Sequence, residues 1–371
     1  MNFALSDDHL LLRQSANDFL INEIDLSPLL IPGATVEAAG YDTNWKKMVE
    51  LGWPGLVIPE EFGGAGLNML DLSMIVSEIG RTLAPSPYFG TLAGTLALLK
   101  AGSAEQKERI LPKVATEGFR LALAISDHNG QSDNPTSDAE ASGSDGDITI
   151  SGRKSFVVDG ASADLLIVAA SRNGKRGLYL VDPGQKAVTV ARRPWRDLTR
   201  EVCEITFDKA SAEPLIADDS AVWPWIRDRL LLVLAAESAA GLQQMIETAT
   251  EYAKERVAFG KPIGAYQAIK HQLADMFCLG ECANVAVLYA AWELAEEGPK
   301  ASIAAAMAKS YACDAYVQAT HQNIQIFGAI GFTWEMKNHL YFKRARANAE
   351  MFGAPSAQRA RLVAMLEAEA A

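Results

Sequence analysis

The spacing of hydrophobic residues changes twice along the chain. Up to about Gly118, apolar residues recur every three or four positions in LLLRQSANDFL, NWKKMVELGW, MLDLSMIVSEIGRTL and SAEQKERILPKVATEG, which predicts amphipathic helices. After Gly118 the spacing falls to two in DITISG, KSFVVDG and EVCEITFD, which is typical of strands. From about Val222 long helical patterns return. The chain is therefore predicted to be α+β, with helices, then a small antiparallel β domain, then a helical bundle.

These changes of spacing predict three domains. We place the domain boundaries at these changes, giving residues 1–118, 119–215 and 216–371. More than one domain is expected, because 371 residues exceed the roughly 100 to 200 of an average domain. Asn173-Gly174, between two strand patterns, predicts a hairpin turn. The polar stretch HNGQSDNPTSDAEASGSDGD predicts a surface loop with little fixed structure. The three long C-terminal helices predict a four-helix-type bundle, whose remaining apolar surface we expect to face another subunit.

Composition excludes some classes of function. A net charge of -12 argues against a nucleic-acid binder, which needs a basic face. The N-terminal residues lack a basic region followed by an apolar one, so no signal peptide is expected. The most apolar run, LLLVLAA, ends at Glu237 and is shorter than the roughly 20 residues of a membrane span. We expect a cytoplasmic protein without a membrane-spanning segment.

The four cysteines do not form a recognisable framework. Cys278 and Cys282 lie one helical turn apart, but no second pair or nearby histidine completes a set of four metal ligands. The interpretation is that they are buried structural thiols, that no metal is bound, and that the compartment is reducing.

Four motifs, together with this order of segments, resemble the acyl-CoA dehydrogenase family over nearly the whole chain. The family's Arg-x-x-Phe-Gly-Lys-Pro-Ile…Gln element is matched by Arg256, Phe259, Gly260, Lys261, Pro262, Ile263 and Gln267, and its Gln-x-x-Gly-Gly-x-Gly-Phe element by Gln325, Gly328, Ala329, Gly331 and Phe332. Residues 126–133, SDHNGQSD, are similar to its flavin-facing Thr-Glu-Pro-Gly-Ala-Gly-Ser-Asp, and residues 156–160, FVVDG, to its Trp-Ile-Thr-Asn-Gly.

The resemblance implies a fold, a cofactor and a reaction. In this family a carboxylate removes a proton from the carbon beside a CoA thioester, while a hydride passes from the next carbon to FAD, giving a 2,3-enoyl-CoA. An electron-transfer flavoprotein then takes the electrons. The base must lie in a dry site where hydrogen bonds stabilise the developing enolate.

The resemblance also assigns residues to two parts of a flavin site. Each FAD in the family lies across a subunit interface, and Arg256, Phe259, Gln267, Gln325 and Gly328 would cradle the FAD of a neighbouring subunit. A guanidinium suits a pyrophosphate because its fork pairs with two oxygens. The alternative is that Arg256 only caps carbonyl groups at a helix end.

The flavin pocket of the chain itself departs from the family pattern. Phe156 replaces a tryptophan, and Val158 stands where a threonine hydroxyl bonds the flavin, although valine has no hydroxyl to donate. Ala329 replaces a glycine of the adenine loop. Ser126 keeps a hydroxyl, and Ser132 is a candidate contact for CoA.

The catalytic base is the sharpest departure. The family's glutamate falls on Phe352, and the position that some members use instead falls on Leu230. Glu350 is close in sequence, but a shift of two residues on a helix turns a side chain by about 200°. Glu237 lies two turns beyond Leu230 in an apolar stretch, where it is either a base with a raised pKa or the partner of an arginine.

The favoured hypothesis is a subunit that lacks the base. Residues lent to a neighbour are kept while the chain's own base is lost, as in heteromeric bacterial members that act in steroid side-chain breakdown. GFTWEMKNHLYFKRA resembles that branch. Three alternatives stay open: a self-sufficient homotetrameric dehydrogenase with Glu237 as base, a CoA-ester-binding scaffold without redox function, and a flavin oxidase. The acyl group remains open.

Overall fold

The computed structural model describes residues 5–130, 132, 137–144 and 146–370. In the described N-terminal region the helices are α1 (Asp7–Glu23), α2 (Tyr41–Glu50), α3 (Met69–Thr82), α4 (Tyr88–Ala101) and α5 (Ala104–Glu117). Ser6, Asn68 and Ser103 cap α1, α3 and α5 with their side-chain oxygens. Sequence patterning missed α4, because YFGTLAGTLALLKA is apolar nearly all round and therefore shows no amphipathic period.

A seven-stranded sheet follows the N-terminal helices. Its strands are β1 (Leu121–Ala124), β2 (Glu140–Ser142), β3 (Ile148–Val158), β4 (Leu165–Arg172), β5 (Lys175–Val181), β6 (Val188–Arg192) and β7 (Val202–Ile216). Asn173 and Gly174 form the predicted two-residue hairpin between β4 and β5, both with positive φ.

Three sequence-based details of the sheet were wrong. The prediction of a purely antiparallel sheet fails because β1 runs parallel to β4. DITISG and KSFVVDG form one strand, β3, whose pairing with β7 shifts after Ile150 and after Lys154 instead of breaking. The predicted loop 128–147 contains β2; its residues 131, 133–136 and 145 lie outside the described part of the chain.

The C-terminal region contains the long helices α6 (Trp223–Glu255), α7 (Gln267–Ala295) and α8 (Ala301–Phe327), then α9 (Asn338–Glu350) and α10 (Pro355–Ala370). Two short strands, β8 (Val257–Ala258) and β9 (Lys261–Pro262), form a hairpin after α6. The α+β fold in three parts is confirmed. The exact division at residues 118 and 215 stays a prediction; α5 ends at Glu117 and β7 at Ile216.

The hydrophobic core joins all three parts. One cluster of buried residues runs from α3 and α4 through β1 to α6, a second packs α6 against α8 and α9, and a third lies inside the sheet. Apolar side chains on α6 contribute to the first two clusters, which makes α6 the central element of the molecule.

Two helices, α6 and α7, are long and apolar enough by composition to cross a membrane. The LLLVLAA run alone is too short, but the alanines after Glu237 extend the apolar window along α6. Most of that window in α6 is buried inside the chain, as in the core helix of a globular protein, whereas most of the window in α7 is not.

The exposed side of α7 corrects the interpretation of the cysteines. Cys278 and Cys282 are exposed, not buried, while Cys203 and Cys313 are buried. Phe277 and Val285 are exposed on the same helix. Among the described residues no group of three or more metal-ligating side chains occurs.

The close crossing of α3 and α6 makes a stability prediction. A Cβ at Gly80 would lie 2.4 Å from the Cα of Glu237, so Gly80→Ala forces two backbones apart. We expect the free energy of unfolding to fall by about 2 kcal/mol, measured by urea denaturation. Gly280→Ala in α7 is the control, because the nearest atoms that a Cβ there would meet are the ends of the side chains of Ile246, Leu242 and Gln243, which can shift. Equal effects of the two substitutions would contradict the close crossing.

Candidate functional site

A cavity of about 290 Å³ lies where α4, the sheet and the end of α9 meet. Its walls come from all three parts of the chain and are mostly apolar. They are formed by Phe89, Gly90, Ala93, Leu123, Ile125, Ser126, Asn129, Gly130, Phe156, Val158, Trp195, Arg200, Val202, Ala347, Glu350, Met351 and Phe352. The structure therefore brings Ser126, Phe156, Val158 and Phe352 together, as the sequence motifs predicted.

Phe352 is packed as an aromatic wall of this cavity. Its ring stacks on Phe89 with centroids 6.3 Å apart and meets Trp223 at 6.1 Å. The backbone at Phe352 has φ 53°, an uncommon conformation for a bulky residue. The position is held because the Gln358 side-chain amide donates a 2.8 Å hydrogen bond to the Phe352 carbonyl.

A buried lysine fixes the same segment from the other side. Lys309 Nζ donates to the Ala349 carbonyl at 2.5 Å and to the Gly353 carbonyl at 2.8 Å. The first carbonyl is in the last turn of α9 and the second lies in the turn after it, and the ammonium satisfies both. Burial lowers the pKa of Lys309. The turn that carries Phe352 is thus tied to α8.

Glu237 lies outside the cavity wall, in a buried ion pair. Its carboxylate accepts two hydrogen bonds from Arg200 Nη2, at 2.7 and 2.6 Å, and one from the Asn348 amide at 3.2 Å. Its exposed fraction is 3%. Of the two interpretations of Glu237, this geometry favours the partner of an arginine over the base, because Arg200 Nη2 contacts both carboxylate oxygens in a buried ion pair.

Neither of the other two positions considered for a base places a buried carboxylate at the cavity. Leu230 is completely buried in the core of α6 and does not line the cavity. Glu350 does line the cavity, which the rotation argument missed: the helix α9 ends at this residue, and Met351 is already extended. Because Glu350 is exposed, it lies at the rim and lacks the dry environment that a base for a weak carbon acid needs.

The residues that are expected to face the flavin differ in the groups that they present to the cavity. Val158 presents only methyl groups to the cavity and is 8% exposed. Phe156 is half-exposed, has φ 54°, and meets Trp195 edge-on at 6.0 Å. Ser126 lines the cavity and is partly buried.

Ser132, the candidate CoA contact, is buried outside the cavity. Its carbonyl accepts a 2.7 Å hydrogen bond from Arg176, which also pairs with Asp219. Gln131 and Asp133 of the same motif lie outside the described residues. Nearby, buried Lys154 pairs with Asp127 at 2.6 Å. Two buried cations therefore brace the segment on either side of Gly130 at the cavity wall.

Sequence reasoning missed two charged residues at the cavity. Arg200 lines it directly, 6% exposed, with its guanidinium 4.5 Å above the Phe89 ring. Asp159 lies just behind Val158 and accepts hydrogen bonds from Tyr41 Oη at 2.7 Å and from the Gly90 amide at 2.8 Å. The sequence signal that could have identified Arg200 was the charged pair Arg200-Glu201 directly before a buried strand.

The second group of motif residues lies on the surface. Arg256, Phe259, Gln267, Gln325, Gly328 and Ala329 are all exposed. Phe259 is 97% exposed, with positive φ, on the β8–β9 hairpin. An aromatic ring left so open is suited to covering by another molecule.

Arg256 in particular fits a bound phosphate. Throughout the described ranges no carboxylate or carbonyl accepts a hydrogen bond from its side chain, so the alternative of a helix-end carbonyl cap is not what the geometry shows. Gly328 has φ 71° and ψ -149°, which only glycine adopts readily, and no atom would touch a Cβ there. The exposed set therefore fits the phosphates of a dinucleotide cofactor such as FAD.

Known proteins match the chain along nearly its whole length. The family model described as "Acyl-CoA dehydrogenase, N-terminal domain" matches residues 6–118, and that described as "Acyl-CoA dehydrogenase, C-terminal domain" matches residues 229–366. The acyl-CoA dehydrogenase IpdE2 of Mycolicibacterium smegmatis is 30% identical over 362 residues, 97% of this chain and 99% of the relative. IpdE2 of Mycobacterium tuberculosis is 32% identical over 330 residues, 88% of each chain.

A solved structure gives the same result. A variant of the Tcur3481-Tcur3483 steroid ACAD superposes with a TM-score of 0.87 at 27% identity, covering 98% of this chain and 99% of that one. The expected resemblance, including the steroid-type branch, is thereby confirmed.

Asp159 predicts how stability depends on pH. Burial raises the pKa of Asp159 from 3.8 to about 7, outweighing the hydrogen bonds from Tyr41 and Gly90, while Glu201 adds repulsion and Arg200 opposes it. Between about pH 4 and pH 7 the folded chain therefore binds a proton that the unfolded chain has lost, so stability falls as pH rises. Asp159→Asn keeps both hydrogen bonds, because an amide can accept from Gly90 and donate to the Tyr41 hydroxyl.

We expect Asp159→Asn to raise the free energy of unfolding at pH 8 by about 2 to 4 kcal/mol and to change it little at pH 4. Urea denaturation across this range measures the slope, with Asp164→Asn, an exposed aspartate, as control. An unchanged slope in Asp159→Asn would contradict the assignment.

Proposed function

The chain belongs to the acyl-CoA dehydrogenase family of FAD-dependent oxidoreductases, and from this we propose that it is a base-lacking subunit of a heteromeric member. The complex forms a 2,3-enoyl-CoA from an acyl-CoA derived from a steroid side chain. A second, base-bearing subunit completes it, an electron-transfer flavoprotein accepts the electrons, and the complex works in the cytoplasm.

The observation that carries the proposal is the packing of Phe352. A phenylalanine fixed between Phe89 and Trp223 fills the place of the family's glutamate and cannot accept a proton. Glu237 is held by Arg200, and Glu350 lies at the solvent-exposed rim. Among the described residues that form the wall, Glu350 is the sole carboxylate.

The surface motifs support the heteromeric part. Arg256 and Gly328 keep the chemistry for an FAD that another subunit holds, although the chain's own pocket has lost a hydroxyl at Val158. A chain that took no part in any flavin site would have no use for these exposed residues. The solved relative at 27% identity is described by two names, Tcur3481 and Tcur3483, and as a steroid ACAD, which agrees with a two-component assembly.

In the proposed complex this chain acts by binding. FAD supplies the acceptor for the hydride when it is bound. Arg256 would pair with its pyrophosphate, and the exposed rings of Phe259 and Phe332 would cover apolar parts of the cofactor and exclude water. The proton at the carbon beside the thioester would be removed by the base of the other subunit.

The alternative of a self-sufficient homotetramer needs Glu237 to leave Arg200 and reach the cavity. Freeing it would leave two opposite charges buried without partners, a cost of several kcal/mol. The scaffold alternative does not account for Arg256, which has no ion-pair partner among the described residues. None of the described residues favours the flavin oxidase alternative.

The FAD content of the complex tests the cradle. The chain expressed alone is expected to bind little FAD, while co-expression with a base-bearing relative gives about one FAD per pair of chains, measured by absorbance after gentle purification. Arg256→Ala in this chain should lower that ratio at least several-fold, because a charge-assisted pair with phosphate is lost. Arg359→Ala removes an exposed arginine that pairs with Asp314 and serves as control. Full FAD occupancy alone, or an unchanged ratio in Arg256→Ala, would contradict the proposal.

Replacing Glu237 tests the base. In the complex, Glu237→Gln removes one charge of the buried cluster but keeps an oxygen that accepts from Arg200. We therefore expect a lower unfolding temperature, while the turnover of an acyl-CoA per bound FAD falls less than about tenfold. Loss of a true base costs about a hundredfold or more. Glu350→Gln is measured in parallel. A hundredfold loss of turnover per bound FAD in either variant, measured well below its unfolding temperature, would show that the chain has its own base.

A further inference from the structure

Arg200 is a buried cation that also forms part of the cavity wall. The central carbon of its guanidinium lies over Phe89, 4.5 Å from the ring centre. Nη1 donates to the Asn348 side chain at 2.8 Å and contacts Met351 Sδ, while Nη2 donates to Glu237. Among the described residues no acceptor contacts Nε, and Nε is not one of the fully buried atoms that lack a partner, so this N–H of a cavity-lining arginine is open to a ligand.

The charge around Arg200 is balanced. Arg344 donates to Asp197 at 2.6 Å and lies 3.6 Å from Glu237, so two guanidinium groups face two carboxylates. All four side chains are at least nine-tenths buried. The arginine therefore offers a directed hydrogen bond to the cavity, but little net positive charge.

We propose that the cavity of this chain binds an acyl group that carries a neutral oxygen acceptor, a ketone or a hydroxyl, and that Arg200 is the residue that selects it. A wholly hydrocarbon group leaves the N–H unsatisfied in a dry wall, which costs binding. A carboxylate would add a third negative charge to a balanced cluster of four, so it is disfavoured as well.

The other wall residues agree with this class. Phe89, Leu123, Ile125, Val202 and Phe352 are apolar and mostly buried, so the directed contact from Arg200 orients the ligand. The other polar side chains of the wall are Ser126, Asn129 and Glu350. The inference takes from the proposed function only that the ligand is an acyl-CoA; it holds whether or not the chain has a base.

Three thioesters of matched shape test it. 5-Oxohexanoyl-CoA carries a ketone, hexanoyl-CoA replaces the carbonyl by a methylene, and glutaryl-CoA replaces the terminal methyl of the ketone by the oxygen of a carboxylate. Binding is measured by anaerobic calorimetry on the full-length chain in the assembly in which it purifies. We expect the ketone to bind about tenfold more tightly than either of the others.

Arg200→Lys assigns the preference to this residue, because lysine keeps the charge beside Glu237 but has neither the planar fork nor an Nε–H. The variant should reduce the difference between ketone and hydrocarbon to about twofold or less. Arg193→Lys, in the same loop and paired with Glu204 on the surface, should leave it unchanged. If Arg200→Lys does not fold, the paired change Arg200→Met with Glu237→Met removes both charges together.

Each remaining outcome overturns the inference. Equal affinity for the ketone and the hydrocarbon would show that Arg200 does not reach the ligand, and tightest binding of glutaryl-CoA would show that the cluster carries net positive charge. A preference that survives in Arg200→Lys would belong to another residue. Binding of none of the three esters would overturn this inference and also the acyl-CoA part of the proposed function, whereas the FAD ratio tests the rest of that function separately.

Discussion

The buried cluster of Arg200, Glu237, Asp197 and Arg344 is the interaction on which the cavity depends. Asp197 and Arg200 belong to the loop before β7, Glu237 to α6 and Arg344 to α9, so the cluster joins the sheet to the helical bundle. Burial alone would raise the pKa of Asp197, but the guanidinium groups of Arg344 and Arg200 lower it. No one of the four charges can be removed without leaving a partner unpaired in a dry interior.

The cluster also explains why a carboxylate, Glu237, stands in an otherwise apolar helix. A buried carboxylate is tolerated there only when other groups pair with it. Here Arg200 supplies two hydrogen bonds, and Asn348 and Arg344 complete the surroundings. The arginines come from the loop before β7 and from α9, more than thirty residues away in sequence, so no local pattern around Glu237 announces them.

What the sequence could predict follows from how local each signal is. The Asn173-Gly174 turn and the three long C-terminal helices depend on neighbouring residues, and they were predicted correctly. The parallel pairing of β1 with β4 and the exposure of Cys278 depend on distant packing, and they were not. α4 was missed for a different reason: it is buried on every side and so has no polar face to reveal its period.

The candidate site shows the same difference between features that local sequence predicts and features that depend on distant packing. The motifs brought Ser126, Phe156, Val158 and Phe352 to one cavity because each motif keeps its place in the fold, but Ser132 lies outside it. Glu350 lies at the rim because α9 ends at this residue. The rotation argument assumed that the helix continues beyond it.

The positions that match the family pattern and the position that departs from it contribute differently to folding. An exposed Arg256 or Phe259 contributes almost nothing to the stability of this chain, because neither side chain is buried within it or makes an ion pair in the described structure. Folding therefore gives no reason to keep them. Phe352, by contrast, is useful to folding, since it fills an aromatic contact between α4 and α6 that a carboxylate would disrupt. Arg256 and Phe259 therefore matter only for what they bind, whereas Phe352 matters for how the chain packs. This division is the physical argument for the subunit proposed above.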